Sequence, residues 1–140
     1  MAGHAIVASR RAQRDDGYET EVSVSGEYDG LTVRGRADGY DAQRQRIEEI
    51  KTFRGDLDAM PANRRALHWA QVQVYGALLC SQRGLAEVEL ALVYFDVATQ
   101  DETVLTERYT AASLQQLFEA RCRRFRDWAI QEAAHRRARD

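Results

Sequence analysis

The stretch VRGRADGYDAQRQRIEEIKTF, running from Val33 to Phe53, decides how this chain is read. Val33 to Asp38 and Ile47 to Phe53 read as strands, and the polar run between them joins them as a hairpin. Side chains two apart on a strand share a face, so Glu49 and Lys51 point the same way, together with Ile47 and Phe53. A connecting loop that folds symmetrically about Gln43 and Arg44 sets Asp38 directly across from Glu49. Paired residues on an antiparallel ladder have Cβ atoms about 5 Å apart. Two carboxylates that close repel unless one is protonated or a cation lies between them. Oxygen ligands on paired strands suit a hard metal such as Mg²⁺.

Lys51 stands out for a second reason. It is the only lysine, beside 19 arginines. Arginine is always protonated, whereas lysine is a compact ammonium whose pKa responds to its surroundings. A chain that uses arginine for every generic positive charge marks, with its one lysine, a position where arginine would fail.

Composition sets the outer limits. A length of 140 residues, with 44% hydrophobic and 30% charged residues, is that of one globular domain large enough for a core of its own. No apolar run approaches the roughly 20 residues of a membrane span, and the amino terminus lacks the pattern of a signal peptide. Cys80 and Cys122 are isolated, which fits core thiols in a reducing cytoplasm. The net charge of −2 does not announce a nucleic-acid binder, but arginines cluster at Arg10–Arg11–Arg14, Arg34–Arg36, Arg64–Arg65 and along the carboxy-terminal helix. Such patches bind phosphate or are solvated faces balanced by acids.

Taken in order, Met1 to Arg14 reads as a helix with His4, Val7, Ala8 and Arg11 on one face, broken at Asp15–Gly17. Glu19 to Tyr28 alternates, with Val22, Val24 and Tyr28 on one face and Glu21, Ser23, Ser25 and Glu27 on the other. Asp29-Gly30 predicts a two-residue turn into the strand Leu31 to Tyr40. On that strand Asp38 lies on the face of Arg34 and Arg36, or at a twist near Gly39. Arg46 to Phe53 completes a three-stranded meander. Ala62 to Arg83 is a helix closed by Gly84, with Leu67, Gln71, Val74, Tyr75 and Leu78 on one face. Gln71 in an apolar stripe needs partners, and Tyr75 lies one turn on; His68 precedes Gln71 by three and either touches the same site or lies on the surface. Glu87 to Val97 is a strand buried on both faces, reached by a right-handed parallel crossover, with Thr103 to Tyr109 beside it. Thr110 to about Arg137 is a long helix whose apolar stripe is Leu114, Leu117, Phe118, Cys122, Phe125 and Trp128.

This order is an α/β layout with a central mixed sheet of about five strands flanked by helices. With GRADGYD, the EIK triplet and QVQVY on the next helix, it resembles the PD-(D/E)xK nuclease superfamily, in its RecB-like branch, which includes the CRISPR adaptation nucleases. The whole chain also resembles the nuclease domain attached to DinG-type helicases, which implies a single domain, residues 1–140, excised from a longer helicase–nuclease chain. The resemblance implies a restriction-endonuclease-like core and a metal-dependent deoxyribonuclease acting on single-stranded or unwound DNA. Its helicase would lie in the same or a partner chain, and its context would be repair, recombination or defence. It further implies that Asp38 and Glu49 are metal ligands, joined by His4 and the Ile50 carbonyl, and that Lys51 is the catalytic lysine. Gln71 and Tyr75 would orient the site and contact DNA, supported by His68 and Arg36. The metal would be Mg²⁺, or Mn²⁺ given an imidazole ligand. Relatives in this branch carry a four-cysteine iron–sulfur cluster; two cysteines cannot hold one, so no iron–sulfur cluster is expected and the first and last helices would hold by packing alone.

Two other classes fit parts of the pattern. A catalytically silent DNA-binding or regulatory domain of a helicase would keep the fold, although binding alone does not need two opposed acids. A phosphohydrolase of small nucleotides would use the acids and lysine but not the helix pair Gln71–Tyr75.

Overall fold

The computed structural model describes residues 2–14 and 17–139; the expected helix break at Asp15 and Asp16 lies outside them. The order is α1 (Ala2–Arg14), β1 (Tyr18–Tyr28), β2 (Leu31–Asp41), β3 (Arg46–Phe53), a 3₁₀ turn (Leu57–Ala59), α2 (Ala62–Arg83), β4 (Glu87–Asp96), β5 (Glu102–Thr110) and α3 (Ala111–Arg139). The strands form one mixed sheet in the order β1-β2-β3-β4-β5. Among the described residues, only the β3–β4 pairing, made through α2, is parallel. The turn at Asp29-Gly30 has positive φ at both residues, as the hairpin reading requires.

Two cores flank the sheet. The larger packs Val22, Val24, Ala37, Ile47, Leu90 and Leu92 against Leu78 and Leu79 of α2 and Leu114 and Phe118 of α3. The smaller packs Val7 of α1 on Ile50, Val93 and Phe95. Two expected helix faces need correction. Leu67 is 68% exposed, and burial on α2 begins at Val72, because the first turns of the helix overhang the core. On α3 the buried stripe stops at Cys122, leaving Phe125 and Trp128 exposed. A helix of 29 residues spans about 44 Å at 1.5 Å per residue and outruns the layer beneath it.

α1 is held by more than packing. Arg11 is buried, and its guanidinium donates to Glu48 of β3 at 3.0 Å and to Glu102 of β5 at 2.6 Å. Tyr18 also donates to Glu48, at 2.7 Å, and Arg10 reaches Glu102 at 3.0 Å. The arginines Arg10 and Arg11 are thus committed to internal acids. Among the described residues, no helix is long and apolar enough to cross a membrane.

One irregularity positions the site. The β1–β2 register is the same from Tyr18↔Asp41 to Tyr28↔Leu31, but the pairing is interrupted once, between Thr20↔Gly39 and Val22↔Ala37. The residues there are Glu21, which has φ 53°, and Asp38. Ala37 and Tyr40 both enter the larger core although they are three apart. Strict alternation would send them to opposite faces, so the facing of β2 turns over across Asp38 while its register with β1 stays the same. Asp38 thereby sits where the two faces of the sheet meet.

Candidate active site

β2 and β3 pair Gly39 with Glu48 and Tyr40 with Ile47. The same register carried one step further opposes Asp38 and Glu49, as the symmetric loop predicts. Each acid is fastened to the other's strand: the Asp38 amide donates to Glu49 Oε1 at 3.2 Å, and the Ile50 amide donates to Asp38 Oδ2 at 2.7 Å. Glu49 is buried. Burial, and then the charge of Asp38, push its carboxyl up to about 8 against the pull of Lys51; a hydrogen bond between the two carboxyls adds to the rise.

Lys51 lies on the face of Glu49, with Nζ 3.5 Å from Glu49 Oε2. Its ammonium donates to Gln71 Oε1 at 2.7 Å, and Gln71 Nε2 donates to the Tyr75 hydroxyl at 3.0 Å. The half-buried amide therefore finds its partners in the lysine and the tyrosine one turn on. Tyr75 reaches this position across Gly35 of β2, where any Cβ would collide with the ring.

His4 arrives from the other side of the sheet. A Cβ at Gly3 would strike Thr52 of β3 and press on Phe95 at 3.1 Å, so α1 comes this close only because residue 3 is glycine. His4 Nε2 then stands 3.7 Å from Asp38 Oδ2. Ile50 lines the cavities on both sides of the site, as His4 does. His68 hydrogen-bonds through Nδ1 to the Tyr94 hydroxyl at 2.8 Å and faces the same cavity as Lys51. Burial, then Lys51, Arg64 and Arg65, hold its imidazole below the usual histidine range. Arg36 stays exposed on β2, with no hydrogen bond or ion pair to the acids.

The structure thus joins Asp38, Glu49, Lys51, Gln71 and Tyr75 in one chain of contacts, with His4 and Ile50 at its edge. Among the described residues, no three His, Cys, Asp or Glu side chains are gathered closely enough to hold a metal ion as they stand. The donor chemistry nevertheless fits a hard divalent cation: two facing carboxylates, an adjacent imidazole, and a buried acid whose pKa burial and the neighbouring Asp38 raise. Glu21 is a residue that the sequence reading missed. Strand alternation marks it as an outward polar residue, but its positive φ sets it on a cavity of about 430 Å³ beside Asp38 and His4. No sequence signal marks that backbone turn, since a non-glycine residue there is uncommon.

No protein-family model matches the sequence, and no curated protein is significantly similar to it. Solved structures do match. The crystal structure of SSO0001 is 27% identical and covers 83% of this chain and 54% of its own, with a TM-score of 0.56. A protein from Eubacterium rectale, described as a candidate exonuclease, is 16% identical and covers 86% of this chain and 51% of its own, with a TM-score of 0.54. The chain thus spans about half the length of both. What they share with it is the fold, which in this chain is an α/β core with a mixed five-stranded sheet between helices.

Proposed function

We propose that this chain is a metal-dependent deoxyribonuclease domain that hydrolyses phosphodiester bonds in single-stranded or unwound DNA, beside a helicase in the same or a partner chain. The observation that carries the reading is the Asp38–Glu49 pair across β2 and β3, with Lys51 on the same face and fastened to Gln71. The exonuclease description of a structural neighbour with this fold supports the reaction class.

Asp38 and Glu49 would hold a Mg²⁺ or Mn²⁺ ion, with His4 and the Ile50 carbonyl completing the set. When bound, that ion supplies charge stabilisation at the phosphoryl oxygens and lowers the pKa of the attacking water. Lys51 is aimed by its hydrogen bond to Gln71 and its proximity to Glu49. Its ammonium orients the water and offsets negative charge growing on the phosphate, a compact role that a planar guanidinium fills poorly. Tyr75 fixes the Gln71 amide, so the lysine has one direction in which to point. His68 and Arg36 would contact the strand.

The amide hydrogen bonds already made by Asp38 and Glu49 favour one rival, a silent DNA-binding or regulatory module. The deciding experiment incubates the purified protein and Lys51→Ala with labelled single- and double-stranded DNA in Mn²⁺, Mg²⁺ or EDTA. Metal-dependent cleavage that falls at least about a hundredfold in Lys51→Ala, with the fold intact by circular dichroism, is the expected result. DNA binding with no cleavage in any metal selects the silent module.

A further inference from the structure

Beside Lys51 the protein has a cavity of about 560 Å³, between the end of β3, the segment 54–61 and the first turns of α2. That size suits one small ligand, since such pockets run from about 300 to 1,000 Å³. It shares Lys51, Ile50 and His4 with the candidate active site, so whatever fills it adjoins the reacting phosphate. Lys51, Arg54 and Arg64 line it against a single acid, Asp56. Asp56 is engaged elsewhere, capping the 3₁₀ turn through the Asp58 amide at 3.0 Å. Neither Arg54 nor Arg64 has an acidic partner among the described residues. α2 opens on this cavity with no side-chain cap and no acid in its first turn, which adds positive potential of the same sign. The remaining wall is apolar, made by Phe53, Leu57 and Met60. Cations on one side and an apolar wall on the other are what a nucleotide presents in complement: a charged phosphate and an uncharged base.

We propose that this groove is the subsite for one unpaired nucleotide adjoining the bond to be cut, its base against Phe53, Leu57 and Met60 and its phosphate between Arg54 and Arg64. The proposal rests on the nuclease reading and adds to it the reason for single-strand selectivity. A base that enters must first leave its partner, which a single strand does at least cost.

The test separates the two readings by measuring binding without metal and cleavage with it. Fluorescence anisotropy in EDTA compares a labelled single-stranded oligonucleotide with the matched duplex, for wild type, Arg54→Ala/Arg64→Ala and Met60→Glu. Wild type should prefer the single strand. The double variant should weaken that binding about tenfold at low salt and reduce the slope of log affinity against log salt by about 0.7, the share of one phosphate on a single strand. Met60→Glu, which adds a negative charge at the apolar wall, should weaken it as well. Equal affinity for both DNAs, or variants that bind the single strand as wild type does while remaining folded, overturns the subsite. Metal-dependent cleavage by the same proteins, assayed separately in Mn²⁺ or Mg²⁺, would leave the nuclease reading standing. A deoxynucleoside monophosphate that competes as well as the oligonucleotide would also overturn it, in favour of a small-nucleotide site.

Discussion

Glu48 and Glu49 are neighbours on β3, both buried, and they lead opposite lives. Glu48 points towards α1, where Arg11 and Tyr18 donate to it and Arg46 lies at 3.8 Å. Glu49 points towards α2, where Asp38 faces it and Lys51 answers only at 3.5 Å. The first acid belongs to a closed network. Burial would depress the Arg11 guanidinium, but Glu102 and Glu48 hold it above its usual value. Burial would likewise lift Glu102, yet Arg11 and Arg10 keep its carboxyl low. The second acid belongs to an open network, and burial with Asp38 raises it to about 8. A buried charge with matched partners fastens elements together; one without them is poised to take a proton or a cation.

The sharpest way to break this contrast is to open the closed side. Arg11→Met leaves the buried Glu48 without its nearest cation and half-buried Glu102 with Arg10 alone. It should cost about 3–5 kcal/mol of stability in urea unfolding, a large share of the about 5–15 kcal/mol that holds a domain together. A loss below about 1 kcal/mol would mean that α1 is held by Val7 and its neighbours alone. On the open side, Asp38→Ala should lower Mn²⁺ affinity by at least about a hundredfold by calorimetry, with the fold retained. Unchanged affinity would contradict the facing-carboxylate site. Gln71→Ala frees the Lys51 ammonium and should slow metal-dependent cleavage about tenfold, the worth of one hydrogen bond to a charged group, while the melting temperature changes little. An equal fall in stability and rate would make Gln71 a core amide only.

The smallest effect concerns pH. Glu49 keeps its proton up to about 8 when folded and releases it near 4.5 when unfolded. Between those values the unfolded state ionises first, so this residue makes the metal-free protein less stable as pH rises through that window. Glu49→Gln should therefore raise the metal-free melting temperature at pH 8 and leave it unchanged at pH 4. A melting temperature that falls at pH 8 would show Glu49 to be ionised and well paired with Lys51.

Much of the open side is legible in the chain. The bounds of β3 and α2, the parallel crossover, and the facing of Asp38 and Glu49 all follow from short-range rules: alternation, a symmetric loop and a glycine stop after Arg83. The Gln71–Tyr75 spacing likewise fixes one helix face, and the lone lysine on the preceding strand, β3, supplies its partner. The closed side is not legible. Arg11 reads as one member of a basic cluster, and Glu48 as a strand residue with nothing to distinguish it from Glu49.

The sequence by itself determined the strand that carries Glu49 and Lys51, the register that opposes Asp38, and the helix that brings Gln71, because each depends on residues close together along the chain. Only the tertiary structure decided that Glu48 is neutralised and Glu49 is not, that His4 comes within reach of Asp38, and that Glu21 turns onto the site. The reason is that a buried charge is judged by what packs against it. For Glu48 that partner is an arginine 37 residues away on a helix that docks through Gly3. For Asp38 it is a break in strand alternation, opposite the positive-φ Glu21, that no local pattern of residues encodes.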